Sequence, residues 1–277
     1  MRIVTTAREL GDFRGGVLVP TMGALHAGHL ALVSAARAEV ARRGGGKPVV
    51  VSVFVNPTQF NDPKDLDRYP RTLDADSAGC ERAGADIVFA PSPDEVYPPG
   101  QLVPTPALPA VAAGPGLEDA SRPGHFAGVC QVVERLFELV RPAAAIFGEK
   151  DWQQLKVIEA MARDLRPDLS IIAHPTAREP DGLAMSSRNV FLTPADRSRA
   201  RALWRGLAAA RDRSTPMAAE AAMREVLERE GIAIEYAVVR DAWTLLGPVE
   251  GCASRVLVAA RLGTVRLIDN AEWRGDR

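Results

Sequence analysis

The sequence has 277 residues, 47% hydrophobic and 25% charged, with a formal net charge of −1. These proportions are those of a soluble globular chain with room for one large domain or two ordinary ones. No arginine or lysine block is long, so neither a polyanion-binding surface nor nucleic acid as a main partner is expected. The three cysteines, Cys80, Cys130 and Cys252, are odd in number and lack CxxC spacing, which argues against a disulfide scaffold or a zinc site. They are expected to be buried free thiols in a reducing cytoplasm. The N-terminus lacks the apolar core of a signal peptide and no apolar run reaches membrane-spanning length, so the expected location is cytoplasmic.

In chain order, residues 2–6 suggest a short edge strand and residues 7–10 a first turn of helix. Val17, Leu18 and Val19 form a β-branched apolar run that Pro20, lacking an N–H, is expected to end. After the turn 21–25 a helix starts around His26–His29 and runs toward Arg43, stopping at Gly44-Gly45-Gly46. His26 and His29 share a face of its first turn, where free N–H groups and the dipole favour an anion, and Gly28 leaves room for a ligand against the backbone. Helical zinc pairs use i and i+4, so this spacing argues against metal ligation.

Residues 49–55, VVVSVFV, read as a strand buried on both faces, as in parallel sheets, ending at Asn56-Pro57-Thr58-Gln59-Phe60. Asn56 and Gln59 are either poised amides at a strand's carboxyl end or part of a polar turn. Residues 61–71 are a proline-broken loop. Thr72 is placed to cap a helix over 73–83, with Asp74 and Asp76 in its first turn. Asp76 is a solvated dipole partner or, more specifically, a magnesium contact. A third buried strand follows at 86–90, then an irregular stretch over 97–125 of the length usually associated with function or mobility. Arg122 and His125 near its end are candidate ligand contacts, with surface solvation the simpler reading. A helix is predicted from about Gly128 to Val140, a fourth strand over 143–147, and a helix over 152–165. At that strand-to-helix junction stand Gly148, Lys150 and Asp151, with Gln154 one turn inside. A fifth strand covers 169–173.

Alternating strands and helices over the first two thirds imply an α/β fold with a parallel sheet. Ligands of such sheets bind beyond the carboxyl ends of the strands, so the His26/His29, Asn56/Gln59 and Lys150/Asp151/Gln154 groups are expected to converge on one cleft. Glu179-Pro180-Asp181-Gly182 marks a linker, and Met185-Ser186-Ser187-Arg188-Asn189 supplies two hydroxyls and a guanidinium suited to phosphate. Thr193-Pro194 and Thr215-Pro216 each pair a cap with a first-turn proline, for helices to about Ala210 and Glu230. A strand over 235–240 and a hairpin of 256–260 with 264–268 complete a small α+β second domain.

The motifs PTMGALHAGH at 20–29, NPTQF at 56–60, YPRTL at 69–73, RPGHFAGV at 122–129, GEKDWQQL at 148–155 and DGLAMSSRN at 181–189 occur in that order. Together they resemble the pantothenate synthetases. The resemblance implies a Rossmann-like catalytic domain of the HxGH nucleotidyltransferase type over 1–178, followed by a lid that carries the phosphate loop over 179–277. It implies ATP-dependent condensation of (R)-pantoate with β-alanine to pantothenate, AMP and pyrophosphate through a pantoyl adenylate, with Mg2+, in a homodimer. It assigns His29 the proton-donor role beside His26, Lys150 to the α-phosphate, and Ser186, Ser187 and Arg188 to the outer phosphates. Met22, Gly23, Gly28, Gly148, Asp151 and Met185 join the ATP site, a backbone contact near Ala177 takes the adenine, and Asp76 approaches the metal. Gln59, Gln154, Asn56 and Met22 form the pantoate pocket.

The residue types suit that chemistry independently. Attack of a carboxylate on the α-phosphorus builds negative charge on phosphoryl oxygens, so alignment and donors matter more than a covalent nucleophile. Thr58 and Trp152 replace residues that are usually methionine and phenylalanine or tyrosine, a change expected only to reshape packing, and Asp119 stands where glycine is common. Two other readings share parts of the pattern: an HxGH nucleotidyltransferase with another acceptor, and a non-catalytic ATP-binding module. The first has no evident use for paired Gln59 and Gln154 amides.

Overall fold

A computed structural model describes residues 1–59, 66, 67 and 69–275. Phe60 of the NPTQF motif and most of the expected loop over 61–71 therefore lie outside the described residues. The chain divides into two compact units, one of Met1–Glu149 with Gln154–Pro175, the other of Lys150–Gln153 with Thr176–Arg277. Among the described residues no helix is long and apolar enough to cross a membrane.

The first unit holds six parallel strands, β1 (Arg2–Val4), β2 (Val17–Thr21), β3 (Val49–Val53), β4 (Ile87–Phe89), β5 (Ala144–Gly148) and β6 (Ser170–His174), in the order β1-β4-β3-β2-β5-β6. From β2 the chain moves outward through β3 to β4, then returns to the other side of β2 for β5 and β6. The strand order thus reverses between β2 and β5, the position at which such sheets bind ligands. Helix α1 (Ala27–Arg42) packs Leu32, Val33, Ala36 and Val40 against Val17, Val19, Val49 and Val51 of the sheet. The continuous apolar runs that predicted two-sided burial are buried in fact.

Pro20 does not end β2. The strand continues to Thr21, with Pro20 opposite Ser52. In a parallel ladder alternate residues bond to opposite neighbours. Val17 N–H donates to Pro48 and Thr21 C=O accepts from Phe54, so the odd-numbered residues serve β3. The donor that Pro20 lacks would have faced β5, and there the pairing stops at Leu18 and Ala145. Proline ends one ladder and spares the other, which leaves β2 and β5 unpaired with each other at their carboxyl ends.

Other boundaries moved for local reasons. Residues 7–10 are turn rather than helix, followed by a 3-10 turn over Gly11–Phe13. Helix α2 (Leu73–Ala83) has no side-chain cap from Thr72, whose hydroxyl donates to Asp76 instead. Helix α3 begins earlier than expected, spanning His125–Val140 after Gly124. Helix α4 is Trp152–Leu165. Cys80 and Cys130 are buried free thiols, but Cys252 is exposed.

In the second unit, Thr193 and Thr215 accept from the N–H groups of Asp196 and Ala218, and Pro194 and Pro216 open the helices. The first of these is broken, into α5 (Pro194–Ala200) and α6 (Ala202–Arg211); α7 is Pro216–Arg229. Three antiparallel strands, β7 (Ala233–Asp241), β8 (Ser254–Leu262) and β9 (Val265–Trp273), are longer than predicted and pair in the order β7-β8-β9. Their core joins Leu203, Leu207, Met223 and Leu227 to Val239, Val256, Val258 and Leu267.

Candidate active site

The turn after β2 delivers both predicted histidines. Gly23 and Ala24 have φ of 81° and 51°, two successive left-handed residues that turn consecutive N–H groups toward one point. That point is the Asp76 carboxylate, which accepts from Ala24 N at 3.0 Å and Leu25 N at 2.8 Å. Thr72 Oγ1 adds a third donor at 3.2 Å, and Asp76 is only 3% exposed. Both oxygens are committed to donors of the fold. These bonds make Asp76 a brace for the turn. Among the described residues no group of three or more His, Cys, Asp or Glu could hold a metal ion.

His26 is the N-cap of α1. Its Nδ1 accepts from Gly28 N at 3.1 Å, while His26 N donates to His29 Nδ1 at 3.4 Å. A ring nitrogen that accepts an N–H carries no proton, so both Nδ1 atoms serve as acceptors here. The rings lie 4.1 Å apart between centroids. The capping box of this helix is thus built from imidazoles, which places both rings beside the positive end of the α1 dipole.

After β3, Asn56 is 1% exposed and its amide is fully engaged. Its Nδ2 donates to Gln59 Oε1 and to Gly128 C=O, each at 3.2 Å, and its Oδ1 accepts from Tyr97 OH at 2.8 Å and Thr58 Oγ1 at 3.1 Å. With Oε1 held, the Gln59 amide turns its Nε2 donors outward, to Met22 Sδ at 2.6 Å. The predicted substrate residues Met22, Asn56 and Gln59 are therefore in one cluster. Asn56 orients Gln59 there, and Thr58, expected to alter packing alone, donates to the same carbonyl. Burial raises the Tyr97 hydroxyl pKa, with the bonds to Thr58 and Asn56 opposing, so Tyr97 remains a donor at neutral pH.

Helix α3 closes on this turn. A Cβ on Gly128 would stand 2.5 Å from Thr58 O, so only glycine permits the approach. His125, a candidate ligand contact for which surface solvation is the simpler reading of the sequence, is buried; its Nδ1 lies 3.3 Å from Gln59 O and its Nε2 2.9 Å from Arg122 Nη1. Asp119 accepts the N–H groups of Gly116 and Leu117, which sets the local loop path.

Gly148 is the last residue of β5. Gln154, half-buried in α4, belongs with it in the first unit, whereas Lys150 and Asp151 belong to the second. Lys150 Nζ lies 3.5 Å from Asp151 Oδ1, and the Lys150 carbonyl accepts from Asn270 Nδ2 at 2.9 Å. Trp152 donates through Nε1 to Ala242 C=O at 3.0 Å and carries the Arg255 guanidinium 3.5 Å over its ring. Tryptophan in place of a smaller ring adds a polar tether here as well as bulk. Ala177 C=O accepts from Met185 N at 2.9 Å; Ser186 Oγ accepts from Arg188 N at 3.3 Å, opening a 3-10 turn over Ser187–Phe191 with Arg188 exposed.

The family profile of pantoate-beta-alanine ligases matches residues 2–272. The chain belongs to that family. A pantothenate synthetase of Nocardioides sp. is 50% identical over 279 residues, covering 97% of this chain and 81% of the relative. The crystal structure of pantothenate synthetase from Thermus thermophilus superposes with a TM-score of 0.90 at 44% identity, covering 99% of this chain and all of that one. The pantoate-beta-alanine ligase of Francisella tularensis, a complex with beta-gamma ATP and beta-alanine, gives a TM-score of 0.79 at 33% identity, covering 98% of this chain and 97% of that one. Pantoate-beta-alanine ligases form an amide bond, so the chain is a carbon–nitrogen ligase. Tyr97 and Asn270 were missed from the sequence; they support Asn56 and Lys150 from 41 and 120 positions away, where local pattern carries no signal.

Proposed function

We propose that the chain condenses pantoate with β-alanine at the expense of ATP, through a pantoyl adenylate. The observation that carries this reading is the pair of imidazoles anchored through Nδ1 at the α1 N-terminus, where the helix dipole and main-chain N–H groups favour phosphoryl oxygens. The family membership and the nucleotide and β-alanine in the Francisella relative support the same substrates.

In the first step a pantoate carboxylate oxygen attacks the α-phosphorus and the bond to the bridging oxygen breaks, releasing pyrophosphate. His29 donates to the developing charge with His26 beside it. Lys150 neutralises phosphate charge, and Ser186, Ser187 and Arg188 bind the outer phosphates. Met22, Gly23, Gly28, Gly148, Asp151, Ala177 and Met185 contact ATP, and Asp76 is the residue that would approach a magnesium ion accompanying the phosphates. The Gln59 and Gln154 amides hold the pantoate carboxylate and hydroxyl. In the second step the uncharged β-alanine amine attacks the acyl carbon, AMP leaves with the bonding pair, and the amine loses a proton. Water exclusion protects the adenylate. The enzyme works as a cytoplasmic homodimer in this reading.

Pantoate-dependent exchange of labelled pyrophosphate into ATP, with β-alanine omitted, tests the first step. Exchange that requires pantoate and collapses in His29→Ala and Lys150→Ala supports the reading. Exchange without pantoate, or none with ATP bound, rejects it.

A further inference from the structure

Two adjacent polar residues, Asp269 and Asn270, are buried in the middle of β9, each 3% exposed. Neighbours along a strand face opposite ways. Asp269 alternates with Leu267 and Ala271, which pack into the core with α6 and α7, so Asn270 faces the other side of the sheet. A buried carboxylate and amide here are costly unless fully paired, and a buried ion pair adds little net stability over apolar residues of the same size. Their partners suggest what the pair is for.

Asp269 holds the segment that follows the first unit. Arg178 binds it through both terminal nitrogens, at 2.6 and 3.0 Å, and lies 3.8 Å over the Trp204 ring. The same guanidinium donates to Gly182 C=O at 3.0 Å, and Arg178 pairs with Ala184 as an isolated bridge. The loop carrying Ala177 and Met185–Arg188 is thus closed around one side chain. Asn270 holds the other segment, donating to the Lys150 carbonyl at 2.9 Å and accepting from Arg255 Nε at 2.9 Å. Arg255 in turn stacks on Trp152. Asn270 N also donates to Asp269 Oδ1 at 2.8 Å, so the two halves share atoms.

We propose that Asp269 and Asn270 are positioning residues: side by side on one strand, they fix Lys150 and the 177–188 loop in a common frame, Asn270 acting on the lysine through its main chain. The inference rests on the reading that Lys150 and this loop serve phosphate. A lysine whose carbonyl is anchored two bonds from its Cβ presents Nζ from a fixed root, and misplacement by about 1 Å can cost on the order of a hundredfold in rate.

The experiment is pantoate-dependent pyrophosphate exchange with Asn270→Ala and Asn270→Asp, alone and combined with Lys150→Ala, thermal unfolding confirming that each protein is folded. Asn270→Asp keeps the shape and the acceptor for Arg255 and replaces the donor to the Lys150 carbonyl with a carboxylate oxygen, so it serves where the alanine variant does not fold. The expected result is a fall of about tenfold or more in exchange rate with KM for pantoate within about twofold, and no further loss when either change is added to Lys150→Ala. A purely structural role would instead give equal losses in both backgrounds, and that result overturns the proposal. Full exchange in a folded Asn270→Asp protein, with Lys150→Ala reduced to a measurable residual rate, overturns it while leaving the phosphate reading standing. Full exchange in Lys150→Ala overturns both.

Discussion

Asp76 and Leu25 are joined by a 2.8 Å hydrogen bond from the Leu25 main chain, and the second Asp76 oxygen takes the neighbouring N–H of Ala24. A carboxylate 51 residues away in sequence therefore holds the turn that presents His26 and His29. Hydrogen bonds to a charged group are worth roughly 1.5–3 kcal/mol each. Asp76→Asn, which sets an NH2 against a main-chain N–H, is expected to lower stability by about 2 kcal/mol and to cut adenylate formation at least tenfold. Where the brace alone carries the effect, the magnesium concentration giving half-maximal rate does not change. Denaturant unfolding and a magnesium titration check this; a shifted magnesium midpoint with unchanged stability would favour the metal role over the brace.

Tyr97→Phe removes a donor from the Asn56 carbonyl, leaving Thr58 to hold the amide. The expected stability cost is about 1 kcal/mol. Because Asn56 orients Gln59, the functional effect should fall on pantoate: KM for pantoate rises several-fold while KM for ATP stays the same. Steady-state kinetics with each substrate varied in turn measure the split.

Gly128→Ala places a methyl group where the Thr58 carbonyl stands, with no flexible side chain to give way. Overpacking of this kind costs about 1–3 kcal/mol, and relief requires α3 or the Asn56–Gln59 turn to move. The variant should unfold at lower urea concentration and bind pantoate more weakly, as read by calorimetry.

Glu39 provides a pH test away from the site. Hydrogen bonds from Arg42 and then Arg43 lower its pKa to about 2. A carboxyl lowered on folding stabilises the protein above its unfolded value of 4.5, and that contribution is lost as pH falls toward about 2. The group is at the surface, so the effect is small, at most about 1 kcal/mol. Glu39→Gln should be slightly less stable than the parent at pH 7, with the difference narrowing below pH 4.5 in paired urea titrations.

What could be read in advance follows from how local each cause is. The apolar runs at 49–53 and 144–148 contain their own reason for being buried strands, and Thr193-Pro194 contains its own cap and first turn. The histidines, Asn56 and Gln59 fall at strand ends because strand and turn residues are adjacent in sequence. Pro20 misled because a missing donor matters only on the side where a partner wants it, and neighbour identity is a tertiary fact. Thr72 misled for a similar reason: its hydroxyl met Asp76 before it met the helix N–H groups. The anchors of the site are the least legible part. Asp269 and Asn270 act on residues 91 and 120 positions away, distances at which spacing carries no pattern.

The placement of residues 150–153 sets a limit on how this polypeptide can be dissected. Four residues from the middle of the first unit's sequence belong to the second, held through Trp152 to Ala242 and Arg255 and through the Lys150 carbonyl to Asn270. A fragment beginning at residue 176 would expose the surfaces those residues cover, and one ending at 175 would carry Trp152 with nothing to stack against. No single cut yields two self-sufficient pieces. The strip of chain that bears Lys150 is borrowed by the unit that follows it in sequence.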